Sequence, residues 1–244
     1  QVTHDTAIEA CVLYVGDVLP LHPVSLIGDS SLESSQQPDG MPLSGEEFRR
    51  AKVEHFIERA EELVSMGRFL SARKPIEVAL GLDASNPVAR TLMRNVEETL
   101  ASLGQPVPAN GGPLPRRQEL VMVIDQDERL LLRVMQSLRR FGFRSVAAGG
   151  FQEARELLTV VTPDVILSEV NFENGPVGFD LYLMVRTNAR LQGLPFLFLA
   201  TRVDRETLIA GKRLGVNDFI TKPLDEEVVY ASIVSSLAKA KRGM

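Results

Sequence analysis

The hydrophobic pattern of the chain changes its period once. Between Phe48 and Val64 the apolar residues Phe48, Val53, Phe56, Ile57, Ala60, Leu63 and Val64 recur at helical spacing. Ser44, with Glu47 three residues later, makes a capping-box start for that helix. The pattern turns at Gly67. A second helix follows, in which Pro75 removes a backbone hydrogen bond and predicts a kink or a delayed start. A third helix runs from about residue 87 to 103. Beyond residue 118 the pattern becomes short apolar runs alternating with helical stretches. It predicts strands over 120–124, 144–147, 165–169, 195–199 and 216–220, with 144–147 at an edge, and helices over 128–141, 151–160, 178–189, 205–214 and 225–239. Regular alternation of this kind specifies five parallel strands with crossover helices on both faces, the flavodoxin-like doubly wound α/β arrangement. The expected fold is that sheet preceded by a small all-α module.

Composition divides the chain further. Residues 104–117, GQPVPANGGPLPRR, hold four prolines and three glycines, an extended linker with little to pack. The expected organisation is therefore a poorly defined segment over 1–44, a helical module over 45–103, a linker over 104–118 and the α/β domain over 119–244. Within the first segment, 7–19 reads as a strand or short helix and 29–40 as loop. The chain begins at Gln1, which suggests excision from something longer, and its end just after the last helix predicts no C-terminal effector domain.

At 244 residues, 44% of them apolar and 24% charged, the chain has the material for two small domains with buried cores. A net charge of −5, a pI near 5.4 and scattered basic residues argue against nucleic-acid binding. Cys11 permits no internal disulfide, three separated histidines make no ligand set, and a reducing cytoplasm fits. No apolar run is long enough for a membrane span and no signal peptide is visible. Arg139, Arg140, Lys239, Lys241 and Arg242 read as solvated helix ends, and Met122, Met135 and Met184 as core.

The candidate chemistry lies at the carboxyl ends of strands, where an open parallel sheet forms its crevice. The apolar run of PDVILSE, 163–169, ends in Glu169; VMVIDQD, 121–127, ends in Asp125, Gln126 and Asp127; FITKP, 219–223, presents Lys222. No glycine-rich phosphate loop follows the first strand and no nucleophile stands beside a base, so an enzyme of another flavodoxin-like family is disfavoured. No catalytic residue is assigned.

VMVIDQDE, PDVILSE, LPFLFLAT and GVNDFITKPLD, in this order and roughly this spacing, resemble the response-regulator receiver domain of bacterial two-component signalling, across about residues 119–242. The resemblance implies a phosphoacceptor at position 169, a Mg2+ ion held by acids after strand one and by the acceptor, a hydroxyl at position 200, a lysine at 222 and a switch aromatic at Phe219. The chain keeps Asp125, Lys222 and Phe219. It departs at Glu169, which replaces aspartate, at Gln126, which removes a charge from the metal cage, and at Ala200, which has no hydroxyl. Thr201 is next door but faces the other way. The metal set would be Asp125, Glu169 and Asn171, binding Mg2+ weakly, and the loop 171–178 is one residue longer than usual. Glu169 places its charge one methylene further out and offers a partial imitation of an aspartyl phosphate facing Lys222.

The stretch 67–87, GRFLSARKPIEVALGLDASNP, resembles the second half of a tetratricopeptide repeat, with Ala72 and Ala79 allowing close helix approach. One such unit cannot bury its own apolar face, so the module must pack on the α/β domain, a protein partner or a second copy in a homodimer. These readings together predict a phosphorylation-independent pseudo-receiver acting as a cytoplasmic signalling adaptor through protein contacts. An active phosphoacceptor regulator is the alternative.

Overall fold

The computed structural model describes residues 45–104, 118–172 and 177–242. The readings of 1–44, the Ser44 cap, residues 105–117 of the linker and residues 173–176 of the loop fall outside the described residues.

Three helices come first: α1 (Gly45–Ser65), α2 (Phe69–Leu82) and α3 (Pro87–Gly104). Their small and branched residues Val53, Ala60, Leu63, Ala72, Ile76, Ala79, Ala89 and Val96 are buried together. α1 ends at Gly67, whose φ of 73° suits glycine and lets the Arg68 N–H donate to Leu63 O at 2.8 Å. Asn86 starts α3: its Oδ1 accepts from Val88 N and Ala89 N, and Pro87 occupies the first turn, where no N–H is missed. Two readings are corrected here. α2 runs unbroken through Pro75 from Phe69, so its start is not delayed; the burial of Ala72, Ile76 and Ala79 on either side offsets the lost hydrogen bond. Phe48 does not join the apolar face but is 52% exposed, with the Lys52 ammonium over its ring.

The second part alternates β1 (Leu120–Ile124), α4 (Glu128–Arg140), β2 (Arg144–Ala148), α5 (Phe151–Val160), β3 (Val165–Glu169), α6 (Val177–Thr187), β4 (Phe196–Ala200), α7 (Arg205–Leu214), β5 (Asp218–Thr221) and α8 (Glu226–Arg242). The strands are all parallel in the order β2-β1-β3-β4-β5. This is the flavodoxin-like doubly wound sheet. β1, β3 and β4 are buried at every position, as strands covered on both faces must be. Asp127, Asp204 and Asp225 start α4, α7 and α8 by accepting first-turn N–H groups. Of the expected core methionines, Met122 and Met135 are buried and Met184 is half-buried. Arg140 is not merely solvated, since it pairs with Glu226, and Lys241 reaches Glu119 at 3.0 Å.

One face of the sheet, with Val121, Val123, Leu167, Leu197 and Leu199, packs with α4 and α8; the other, with Met122, Ile124, Ile166, Phe196 and Phe198, packs with α5 and α6. The helical module joins both cores, α1 and α2 adding to the first and Leu103 of α3 to the second. It lies along edge strand β2, where Ala147 N donates to Gly67 O at 3.0 Å. The lone module is thus covered by the α/β domain. No helix among the described residues is long and apolar enough to cross a membrane.

Candidate functional site

Three strand ends deliver the site. β3 ends in Glu169, β1 is followed by Asp125, and β5 is followed by Lys222. β4 separates β3 from β5, so the long lysine side chain must pass the end of β4, and the residue there is Ala200. The Lys222 backbone N–H donates to Ala200 O at 2.8 Å. The ammonium then meets both acids, donating to Asp125 Oδ2 at 2.6 Å and to Glu169 Oε2. The remaining oxygens have partners too: Asp125 Oδ1 accepts from Asp127 N at 2.9 Å, and Glu169 Oε1 accepts from Val170 N at 2.7 Å and Asn171 N at 3.0 Å.

The cluster is shut in. Asp125 is 1% exposed and Glu169 5%, while the Lys222 side chain is 14% exposed. Burial pulls the Lys222 ammonium down, yet its bonds to Asp125 and Glu169 outweigh that and leave it above the usual lysine range. Burial, with Glu169 adding to it and Lys222 opposing it, leaves Asp125 above the usual aspartate range. The two directions have different causes: the lysine gains two acidic partners, while Asp125 is raised chiefly by its burial.

The other expected site residues are placed apart. Asp127 does not face the cluster; its carboxylate caps α4 through Arg129 N and Leu130 N. Gln126, Thr201 and Asn171 are exposed, Asn171 meeting Glu169 through its backbone. Phe219 packs on Phe198, with ring centroids 5.5 Å apart, and lies so close to α7 that a Cβ on Gly211 would sit 2.3 Å from its ring. The aromatic is therefore seated between sheet and helix.

This arrangement does not fit a magnesium ion. Mg2+ requires a near-octahedral shell of oxygens, but each carboxylate oxygen of Asp125 and Glu169 already accepts a hydrogen bond, and the ammonium stands between the two acids. Among the described residues no buried side-chain oxygen lacks a partner and no group of three acids, histidines or cysteines has metal-binding proximity.

Two features escaped the sequence reading. Gly178 in α6 packs against the end of β3, where an added Cβ would lie 2.3 Å from Glu169 O and 2.7 Å from Val170 O; a glycine in the first turn of a helix that follows the acceptor loop was its signal. The second is a charged network on the module side of the crevice. Arg59 of α1 donates to Glu128 at 2.7 and 3.1 Å, and Arg68 bridges Glu128 at 2.8 Å and Glu153 at 2.9 Å. Ser71 Oγ donates to Glu153 at 2.5 Å, and Gly149 N to the same carboxylate at 2.7 Å.

About half of the chain is similar to known proteins. Residues 121–234 match the family model of the response regulator receiver domain. Protein RcaC of Microchaete diplosiphon is 30% identical over 110 residues, 45% of this chain and 17% of its own. Protein PilH of Pseudomonas aeruginosa is 25% identical over 118 residues, 48% of this chain and 97% of its own. The high-resolution structure of the chemotaxis response regulator CheY4 of Vibrio cholerae aligns with a TM-score of 0.44 at 24% identity, covering 50% of this chain and 98% of that one. The chain spans about half the length of several other curated relatives that it matches. The part of the chain over residues 121–234 is thus similar to the receiver domain of two-component response regulators. Domains of this family bind Mg2+ at their phosphorylation site and work by meeting partner proteins such as kinases and effectors.

Proposed function

We propose that this receiver domain works without phosphorylation, as a pseudo-receiver whose crevice is held by its own side chains, and that with the tetratricopeptide-like module docked on it the protein is a cytoplasmic adaptor for a protein partner. The observation that carries the reading is the Lys222 ammonium bound by both Asp125 and Glu169. Phosphoryl transfer to a carboxylate requires a free oxygen in line with the donor and a cation to screen the charge. Here the Glu169 oxygens already accept bonds from two backbone N–H groups and the lysine, and the ammonium is shared between Glu169 and Asp125. Ala200 supplies no hydroxyl, and Phe219 is wedged against Gly211, so both parts of a phosphate-driven rearrangement are lacking or fixed.

Retention of Asp125 and Lys222 favours the rival, an active phosphoacceptor. The two readings separate on incubation with acetyl phosphate and magnesium, followed by intact mass. The native chain is expected to gain no phosphoryl increment, and a variant carrying Glu169→Asp, Gln126→Asp and Ala200→Thr is expected to gain one. A stoichiometric increment on the native chain that maps to Glu169 overturns the proposal.

A further inference from the structure

We infer that the helical module and the Asp125–Lys222–Glu169 cluster are coupled, so that a partner bound to the helices and a change at the crevice each alter the other, with Arg68 as the positioning residue between them. The inference rests on an unbroken path of bonds. Lys222 holds Asp125, whose other oxygen takes Asp127 N. Asp127 caps α4, and the next residue, Glu128, is gripped by Arg59 and Arg68. Four consecutive residues therefore carry the link from lysine to module. A second route leads through β2: Asp125 N donates to Ala148 O, Gly149 N donates to Glu153, and Glu153 receives Arg68 and Ser71.

Three further observations make the link stiff. The Arg68 side chain is 17% exposed and that of Glu153 12%, so this arm is sheltered from solvent. A Cβ on Gly149 would lie 2.5 Å from the Arg68 guanidinium, so the backbone beside β2 is shaped to receive it. The Gly67 carbonyl, one residue away, is tied to Ala147 N on the same strand. Arg68, Ser71, Gln126 and Phe172 also line one cleft of about 550 Å³, which places a module side chain in the wall beside the crevice. A rigid connection between two sites carries coupling in both directions, because linkage is reciprocal.

Contiguity alone does not establish coupling, so the test measures it. In the full chain, Arg68→Gln and Asp125→Asn are made singly and together, and unfolding equilibria are compared. Substitutions at sites without shared partners combine to within about a factor of two in the equilibrium constant; the coupled path predicts a departure of more than about fivefold. The ammonium resonance of Lys222 and the amides of 125–127 supply a readout that loss of packing alone would not move: they shift in Arg68→Gln, and Arg68→Lys, which keeps the charge but not the two-pronged grip, restores them only in part. Should Arg68→Gln fail to fold, Ser71→Ala and Glu153→Gln are read in the same way with Arg68 in place. Additive unfolding, with resonance changes confined to the neighbours of Arg68, overturns the inference. The coupling does not rest on Glu169 refusing phosphate, so the acetyl phosphate result and this one fail independently.

Discussion

Two charged clusters sit on either side of the β1–α4 turn, and they are built on opposite principles. The crevice cluster has two acids and one base, all buried or nearly so. The network at the module has two arginines and three glutamates, Glu62 sharing Arg59 with Glu128, and is graded in depth: Arg68 and Glu153 are sheltered, while Arg59 and Glu128 keep more than a third of their side-chain surface in water. A buried cluster with a single cation depends wholly on that cation. Removing one partner of a buried pair leaves an uncompensated charge, which costs far more than the pair itself contributes. A branched and partly wet network, in which each arginine has two acidic partners, loses one bond at a time, each worth little. The first therefore fixes a conformation, and the second fastens two parts together through several separate bonds.

The sharpest way to break this contrast is Lys222→Met. It leaves Asp125 and Glu169 buried side by side, and urea unfolding should show a loss of about 3–5 kcal/mol at neutral pH, partly recovered in acid as the carboxylates protonate. A loss under about 1 kcal/mol would mean that water, rather than the ammonium, balances the two acids. Gly178→Ala comes next. Its methyl group would meet the Glu169 and Val170 carbonyls, backbone that cannot yield without shifting the acid, so a loss of about 1–3 kcal/mol is expected; a neutral result would show the end of β3 to be pliable.

The smallest effect is a pH dependence of opposite sign in the two clusters. Hydrogen bonding to Arg59, reinforced by both arginine charges, holds Glu128 below the usual glutamate range. Its contribution is complete above the unfolded value of about 4.3 and is lost as pH falls through the depressed folded value. Lys222 is raised, so its contribution is complete below the unfolded lysine value of about 10.4 and is lost as pH rises past the folded one. Asp125, also raised, does not itself add to the loss in acid. Protection from hydrogen exchange, corrected for the intrinsic pH dependence of the amides, should therefore fall first in acid on the α1–α2 turn and first in alkali on the ends of β1 and β5. The reverse order would assign the clusters wrongly.

The α/β half was legible because its signals are local. A strand buried on both faces shows as an apolar run, and β1, β3 and β4 stand within a residue of the expected bounds; β5 is shorter, because Val216 and Asn217 precede the ladder. α6 starts at Val177 and ends at Thr187, one residue earlier at its start and two at its end than periodicity suggested, since Leu183 and Met184 blur the apolar stripe. The meeting of Asp125, Glu169 and Lys222 was readable, because strand ends in a parallel sheet converge in a known order. Asp127 stood beside them in the sequence as a candidate, and its work as a helix cap belongs to the turn geometry. What could not be read was the docking of the module. Arg59 and Arg68 meet Glu128 and Glu153 across 60 to 85 residues, and as letters those glutamates are ordinary first-turn acids on helices. Contact across such a distance leaves no period in the sequence. Pro75 misled for a related reason: a local rule was overridden by the burial of its neighbours.

The bond from Ala147 N to Gly67 O bears on self-assembly. A sheet grows by offering unpaired backbone groups along its outermost strands, and an open five-stranded sheet has two such rims. Here the turn between α1 and α2 sits on the rim at β2 and engages one of its outward groups with a carbonyl that belongs to no strand. The rim that remains is β5, four residues long and bearing the charge of Asp218. Recruitment of a further strand thus has one approach instead of two, and that approach is short and marked by an acid. The helices thus cover part of the sheet's β2 edge, whatever else they bind.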